Sequence, residues 1–100
     1  MTEVFICIEE VYTNHNTDDC WRSTRVEHLF HSLERAQQWI NRKRESYFEL
    51  SKSNGASGKR VVFERWADGD SYDIEIEDVS VAERPITRYE YYQYSMKVEL

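Results

Sequence analysis

Residues 32–52, SLERAQQWINRKRESYFELSK, carry the one long helical period in the chain, and the rest of the fold is organised around them. Leu33, Ala36, Ile40, Tyr47 and Leu50 recur at helical spacings and share one stripe. Lys43 falls in the gap of that stripe, where its aliphatic stem can cover apolar surface while the ammonium reaches water. Trp39 and Phe48 widen the apolar face. Ser32 is suited to the N-cap because its hydroxyl can accept from an otherwise orphaned backbone N–H, and Glu34 complements the positive end of the helix. Arg35 stands where a capping box needs Glu or Gln, so the box is incomplete. At the other end Lys52 complements the last carbonyls, and Asn54-Gly55 offers a left-handed exit. At about 1.5 Å per residue such a helix reaches about 30 Å, enough to cross a small sheet.

Outward from the helix the chain reads as strands. Val4–Tyr12 begins with an unbroken apolar run, Val4, Phe5, Ile6, Cys7 and Ile8, which predicts an internal strand buried on both faces. Residues 13–19 (TNHNTDD) form a polar loop, and Trp21–His31 is a second strand leading directly to the Ser32 cap. After a loop over Ser53–Gly58, Lys59–Trp66 and Ser71–Val81 form a hairpin across Asp68-Gly69, a strong turn signal. A two-residue loop there sets Phe63 opposite Ile74, Val61 opposite Ile76 and Arg65 opposite Tyr72 on one face. The other face then carries Arg60 with Glu77, Val62 with Glu75 and Glu64 with Asp73. Ala82–Pro85 is a turn, and Ile86–Leu100 is a tyrosine-rich last strand.

The order β-β-α-β-β-β predicts an α+β domain, 1–100, with one mainly antiparallel sheet and a long helix on one face. One helix covers only one face, whereas the first strand is apolar on both. The second face therefore needs a bent sheet edge, a second subunit or a partner.

One hundred residues with one proline and three glycines suit a single domain. A net charge of −6 favours solubility and selects no partner class. Cys7 and Cys20 are too few for a disulfide framework, and Cys7 inside an apolar run reads as a buried thiol in a reducing compartment. The first ten residues lack the basic region of a signal peptide, and their apolar run is too short to span a membrane. The expectation is a cytoplasmic protein.

Three surfaces stand out. Asp73, Glu75, Glu77 and Asp78, with Glu64 across the hairpin, make an acidic strand suited to a basic partner or to imitating phosphates, or simply to a solvated face that resists edge aggregation. Glu64 against Asp73 would set like charges across the ladder, a repulsion that a cation or basic partner would relieve. Tyr89, Tyr91, Tyr92 and Tyr94 alternate between two faces and supply rigid area with polar tips, as interfaces use. Residues 34–60 hold seven basic side chains (Arg35, Arg42, Lys43, Arg44, Lys52, Lys59, Arg60) against three acidic ones. That could attract a nucleic-acid backbone, although the interleaved glutamates fit a solvated helix face better.

Catalytic motifs fail on geometry. Gly55–Lys59 lacks the spacing of a phosphate loop, with Arg60 where a hydroxyl should coordinate magnesium and a strand where a helix should follow. His28 and His31, three apart on a strand, point to opposite faces. His15, Asp18, Asp19 and Cys20 share a loop without zinc-ligand spacing. Spacing alone assembles no nucleophile, base and orienting group around Cys7 or Cys20. No metal and no cofactor is implied. The expected function is non-enzymatic protein binding, as a homodimer or docked on a larger partner. A small acidic domain fits an inhibitor or adaptor, for instance an anti-defence protein of a phage or mobile element. The predicted contacts are Glu64, Asp73, Glu75, Glu77, Tyr89, Tyr91, Tyr92 and Tyr94. Two rivals are a nucleotide-like ligand held by tyrosines and by Arg60, Arg65 or Arg88, and a nucleic-acid module using the basic helix.

Overall fold

The computed structural model describes residues 2–53 and 58–99. In chain order the elements are β1 (Thr2–Thr13), β2 (Trp21–Phe30), α1 (Leu33–Ser53), β3 (Lys59–Ala67), β4 (Ser71–Asp78) and β5 (Ile86–Val98). All five strands join one antiparallel sheet in the order β2-β1-β5-β4-β3. The chain leaves β2 at one edge and enters β3 at the other, so α1 must cross the full width of the sheet, and it touches every strand. Its start is capped as the sequence predicts: the Arg35 N–H donates to Ser32 Oγ at 3.2 Å, and the Ala36 N–H donates to the Ser32 carbonyl. The predicted Asn54-Gly55 exit lies outside the described residues.

The helix stripe buries Ala36 and Ile40 against Cys7 of β1, Tyr72, Ile74 and Ile76 of β4, and Tyr91 of β5. Phe5, Phe30, Trp39, Tyr47, Leu50, Val61, Trp66 and Tyr89 pack around this centre. Lys43 behaves as its gap position predicts, with its ammonium 5.4 Å from the Trp39 ring centroid and 3.6 Å from Glu9.

The hairpin register corrects the expected one. Lys59, Arg60 and Val61 face Asp78, Glu77 and Ile76, but the register then slips by one residue across Val62. Phe63 faces Glu75, Glu64 faces Ile74, Arg65 faces Asp73 and Trp66 faces Tyr72. The cause sits at the turn. Ala67 pairs with Ser71, which leaves three loop residues instead of two, and Asp68 and Gly69 take positive φ values of 42° and 89°. The Val62 bulge absorbs the extra residue. The slip brings Trp66 onto Tyr72 on the helix side, with ring centroids 5.9 Å apart, and it abolishes the expected clash of Glu64 with Asp73.

The helix-free face closes differently from the expectation. Val4 and Ile8 point to it, yet both are buried within the single chain. Ile8 lies opposite Tyr92, whose hydroxyl donates to Glu10 two residues further along β1, so the ring runs past Ile8 and covers it. Large apolar side chains nevertheless stay exposed on this face, among them Leu29, Tyr94 and Met96 at one end.

Candidate interaction surface

Strand alternation sends Arg22, Arg25, Glu27 and Leu29 of β2, Val4, Ile6, Ile8, Glu10 and Tyr12 of β1, and Arg88, Glu90, Tyr92, Tyr94 and Met96 of β5 to the helix-free face. Asp73, Glu75 and Glu77 of β4 and Arg60, Phe63 and Arg65 of β3 complete it. This face divides into a charged half and an apolar end.

Two carboxylate clusters organise the charged half. Arg88, with its side chain only 15% exposed, reaches Glu90 at 2.6 Å, Glu75 at 2.8 Å and Asp73 at 3.5 Å. Arg65 reaches Asp73 at 2.8 Å and Arg60 reaches Glu77 at 3.1 Å. Burial alone would lower the Arg88 pKa, but Glu90, Asp73 and Glu75 outweigh it and hold the pKa above the ordinary value. The second cluster surrounds buried Glu10. Tyr12 donates to its Oε2, Tyr92 to its Oε1 at 2.9 Å, and Arg25 and Arg22 lie at 3.3 and 3.8 Å. The Tyr12 hydrogen bond, with help from Tyr92 and the two arginines, pulls the Glu10 pKa down against its burial. The same bond pushes the Tyr12 phenol up to about 12. Glu10 faces Glu90 directly across the ladder, where Arg22 and Arg25 neutralise the first and Arg88 the second.

The acidic strand is therefore neither an edge nor a free anionic surface. β4 lies inside the sheet, and Asp73, Glu75, Glu77 and Asp78 each meet a cation of this same chain, Lys59 serving Asp78 at 3.0 Å. The arginines proposed for phosphate, Arg60, Arg65 and Arg88, are the other halves of these pairs.

The eight predicted contact residues do not share one surface. Glu64 turns to the helix side, where it accepts from the Tyr72 hydroxyl at 2.8 Å. Tyr89 and Tyr91 also face the helix. Tyr91 is buried, with its hydroxyl 2.8 Å from that of Tyr47, and burial raises the pKa of both phenols. Asp73, Glu75, Glu77, Tyr92 and Tyr94 do meet on the helix-free face. Beside Tyr94 on this face lie Leu29, Ile6 and Met96, which the sequence reading did not count among the contacts. Leu29, Ile6 and Tyr94 form a row across β2, β1 and β5, with Val4 opposite Met96 beside it. Leu29 is 57% exposed, Met96 45% and Tyr94 43%. Alternation in β5 hinted at this grouping, but the neighbours that complete it come from strand order.

The basic segment is dispersed. Arg44 lies 5.2 Å from the Trp66 ring, Lys52 bonds Glu49, and Lys43, Lys59 and Arg60 have the partners given above. Arg35 and Arg42 line a groove of about 340 Å³ with Phe30, Gln38 and Trp39, between α1 and β2.

Tertiary structure also gathers a set that spacing could not. Cys20 Sγ lies 3.6 Å from His15 Nδ1, and His15 Nε2 lies 3.8 Å from Glu75. An exposed thiol beside an imidazole can pass it a proton and become nucleophilic. Neither Cys20 nor His15 lines the groove between α1 and β2. Cys7 is the opposite case, since burial pushes its thiol up to about 11. His28 lies against Trp39 with ring centroids 4.7 Å apart and the planes tilted by 40°, within the helix-side packing.

Among the described residues no group of three or more His, Cys, Asp and Glu is arranged to hold a metal ion, and no helix is long and apolar enough to cross a membrane. Comparison with protein-family models, with curated proteins and with solved structures finds no match.

Proposed function

We propose that this chain is a non-enzymatic protein-binding module, an inhibitor or adaptor, that docks on a larger partner through the apolar end of its helix-free sheet face. One observation carries the reading: Leu29, Ile6, Tyr94 and Met96 lie together as an apolar surface over buried Val4, bordered by the charged half of the same face. An apolar centre beside a polar rim is how protein interfaces are built. The internally paired carboxylates make imitation of nucleic-acid phosphates the weaker use of this face. The same pairing weakens the nucleotide reading, because its arginines are already occupied. Two free thiols, one buried and one exposed, support a reducing, cytoplasmic setting.

The test is a pull-down with wild-type protein and the double variant Tyr94→Lys, Met96→Lys. Both positions are exposed, so the variant should melt like wild type. A protein retained by the wild type and lost by the variant supports this face. Equal retention by both places the contact elsewhere.

A further inference from the structure

β2 and β3 are the two edges of the sheet, and they are not equivalent. β3 is interrupted midway by the Val62 bulge, one of the devices that keep an edge from pairing. In β2 the extra residue, Ser23, lies near one end, and Thr24–Phe30 runs in unbroken register with β1. That stretch offers an unprotected row of backbone donors and acceptors along its outer side.

We infer that β2 pairs antiparallel with β2 of a second copy of this chain, about a two-fold axis at Val26. Charge complementarity selects the occupant and the register. With Val26 facing Val26, Arg25 of each copy faces Glu27 of the other, and Thr24 faces His28. A slide of two residues either way sets Arg25 against Arg25 or Glu27 against Glu27, which repel. A slide of one residue sets a charged side chain, Arg25 or Glu27, against Val26 and turns the second helix to the other side of the sheet. In the matched register Arg25, already 2.8 Å from its own Glu27, gains a second carboxylate, and the four charges alternate around the axis.

The bulge extends the match. It returns Arg22 to the helix-free face, where Arg22 approaches Glu10, and sends Trp21 to the helix side. Counting past Ser23 then brings Arg22 opposite Leu29 of the second copy and Trp21 opposite its Phe30. Trp21 is 55% exposed in the single chain. The groove between α1 and β2 lined by Phe30 and Trp39 lies on that same helix side. Trp21 of each copy fills this groove in the other, giving two aromatic anchors related by the two-fold axis. The contact runs along the sheet edge on both faces of β2 and borders the apolar end at Leu29, but it involves neither Tyr94 nor Met96 and does not depend on their docking a partner.

The test combines cross-linking with native mass. In a Cys20→Ser background, Val26→Cys should form a disulfide-linked dimer under mild oxidation. Directly opposed residues have Cα atoms about 4.5–5.5 Å apart, within the disulfide range. Arg25→Cys and Glu27→Cys do not face their own counterparts and should cross-link far more slowly. By light scattering the wild type should be a dimer. Glu27→Arg and Trp21→Ala should each raise its dissociation constant about tenfold or more, the equivalent of about 1.4 kcal/mol. Tyr94→Lys, Met96→Lys should leave it unchanged. A monomeric wild type, a dimer indifferent to Glu27→Arg and Trp21→Ala, or cross-linking at residue 25 or 27 in preference to 26 overturns the inference.

Discussion

The hydroxyls of Tyr47 on α1 and Tyr91 on β5 lie 2.8 Å apart beneath the helix, where two tyrosines of distant sequence close a buried hydrogen bond. Tyr47→Phe or Tyr91→Phe alone should cost about 1 kcal/mol, and the double variant less than the two losses added, as urea titration of all four proteins would show. Truncation of Tyr91 to Ala, by contrast, should cost about 3–5 kcal/mol by emptying a core position.

Alkaline stability follows from the same ring cluster. Burial raises the folded-state pKa of Tyr47, Tyr72 and Tyr91 above the unfolded value of about 10. Their contribution is fully present below that value and is lost as pH rises beyond it, because only the unfolded chain can ionise freely. Melting temperature should therefore fall steeply above about pH 10. Tyr47→Phe, which removes one such phenol, should flatten the fall.

Glu10 gives the acid side. Its folded-state pKa is held down, chiefly by the Tyr12 hydrogen bond, so its stabilisation is present above the unfolded value of about 4.3 and is lost as pH falls through the lower folded value. Glu10→Gln should cost about 1–3 kcal/mol at neutral pH, and the gap to wild type should close in acid. A gap independent of pH would assign Glu10 a packing role instead.

Arg88 is the common partner of Asp73, Glu75 and Glu90. Arg88→Ala leaves three carboxylates close together and should cost about 2–3 kcal/mol, below the value for a fully buried pair. Reversing Asp73, Glu75 and Glu77 to lysine together should unfold the protein at moderate temperature, which circular dichroism would report. That result would distinguish these acids from a freely mutable binding face.

The two thiols should differ sharply with iodoacetamide. Cys20, exposed beside His15, should alkylate in the native protein, whereas Cys7 should react only on unfolding. His15→Ala should slow the Cys20 reaction several-fold at neutral pH, and mass spectrometry of tryptic peptides would follow both sites.

The sequence by itself determined the element order, the single helix with its Ser32 cap and apolar stripe, and the internal position of β1. All of these rest on local periodicity and backbone preference, which act over a few residues. Alternation also separated Tyr89 and Tyr91 from Tyr92 and Tyr94 correctly. The Val62 slip was not legible, because the Asp68-Gly69 signal fits a two-residue loop as well as the three-residue loop that forms, and the bulge that absorbs the difference lies six residues from the turn. Strand order, likewise, was beyond local reading. It placed β5 between β1 and β4, turned the acidic strand into half of an internal ion-pair network, and set Leu29, Ile6 and Tyr94 in one row. Cross-strand neighbours far apart in sequence leave no periodic trace along the chain, so the surfaces they build exist only in the folded sheet.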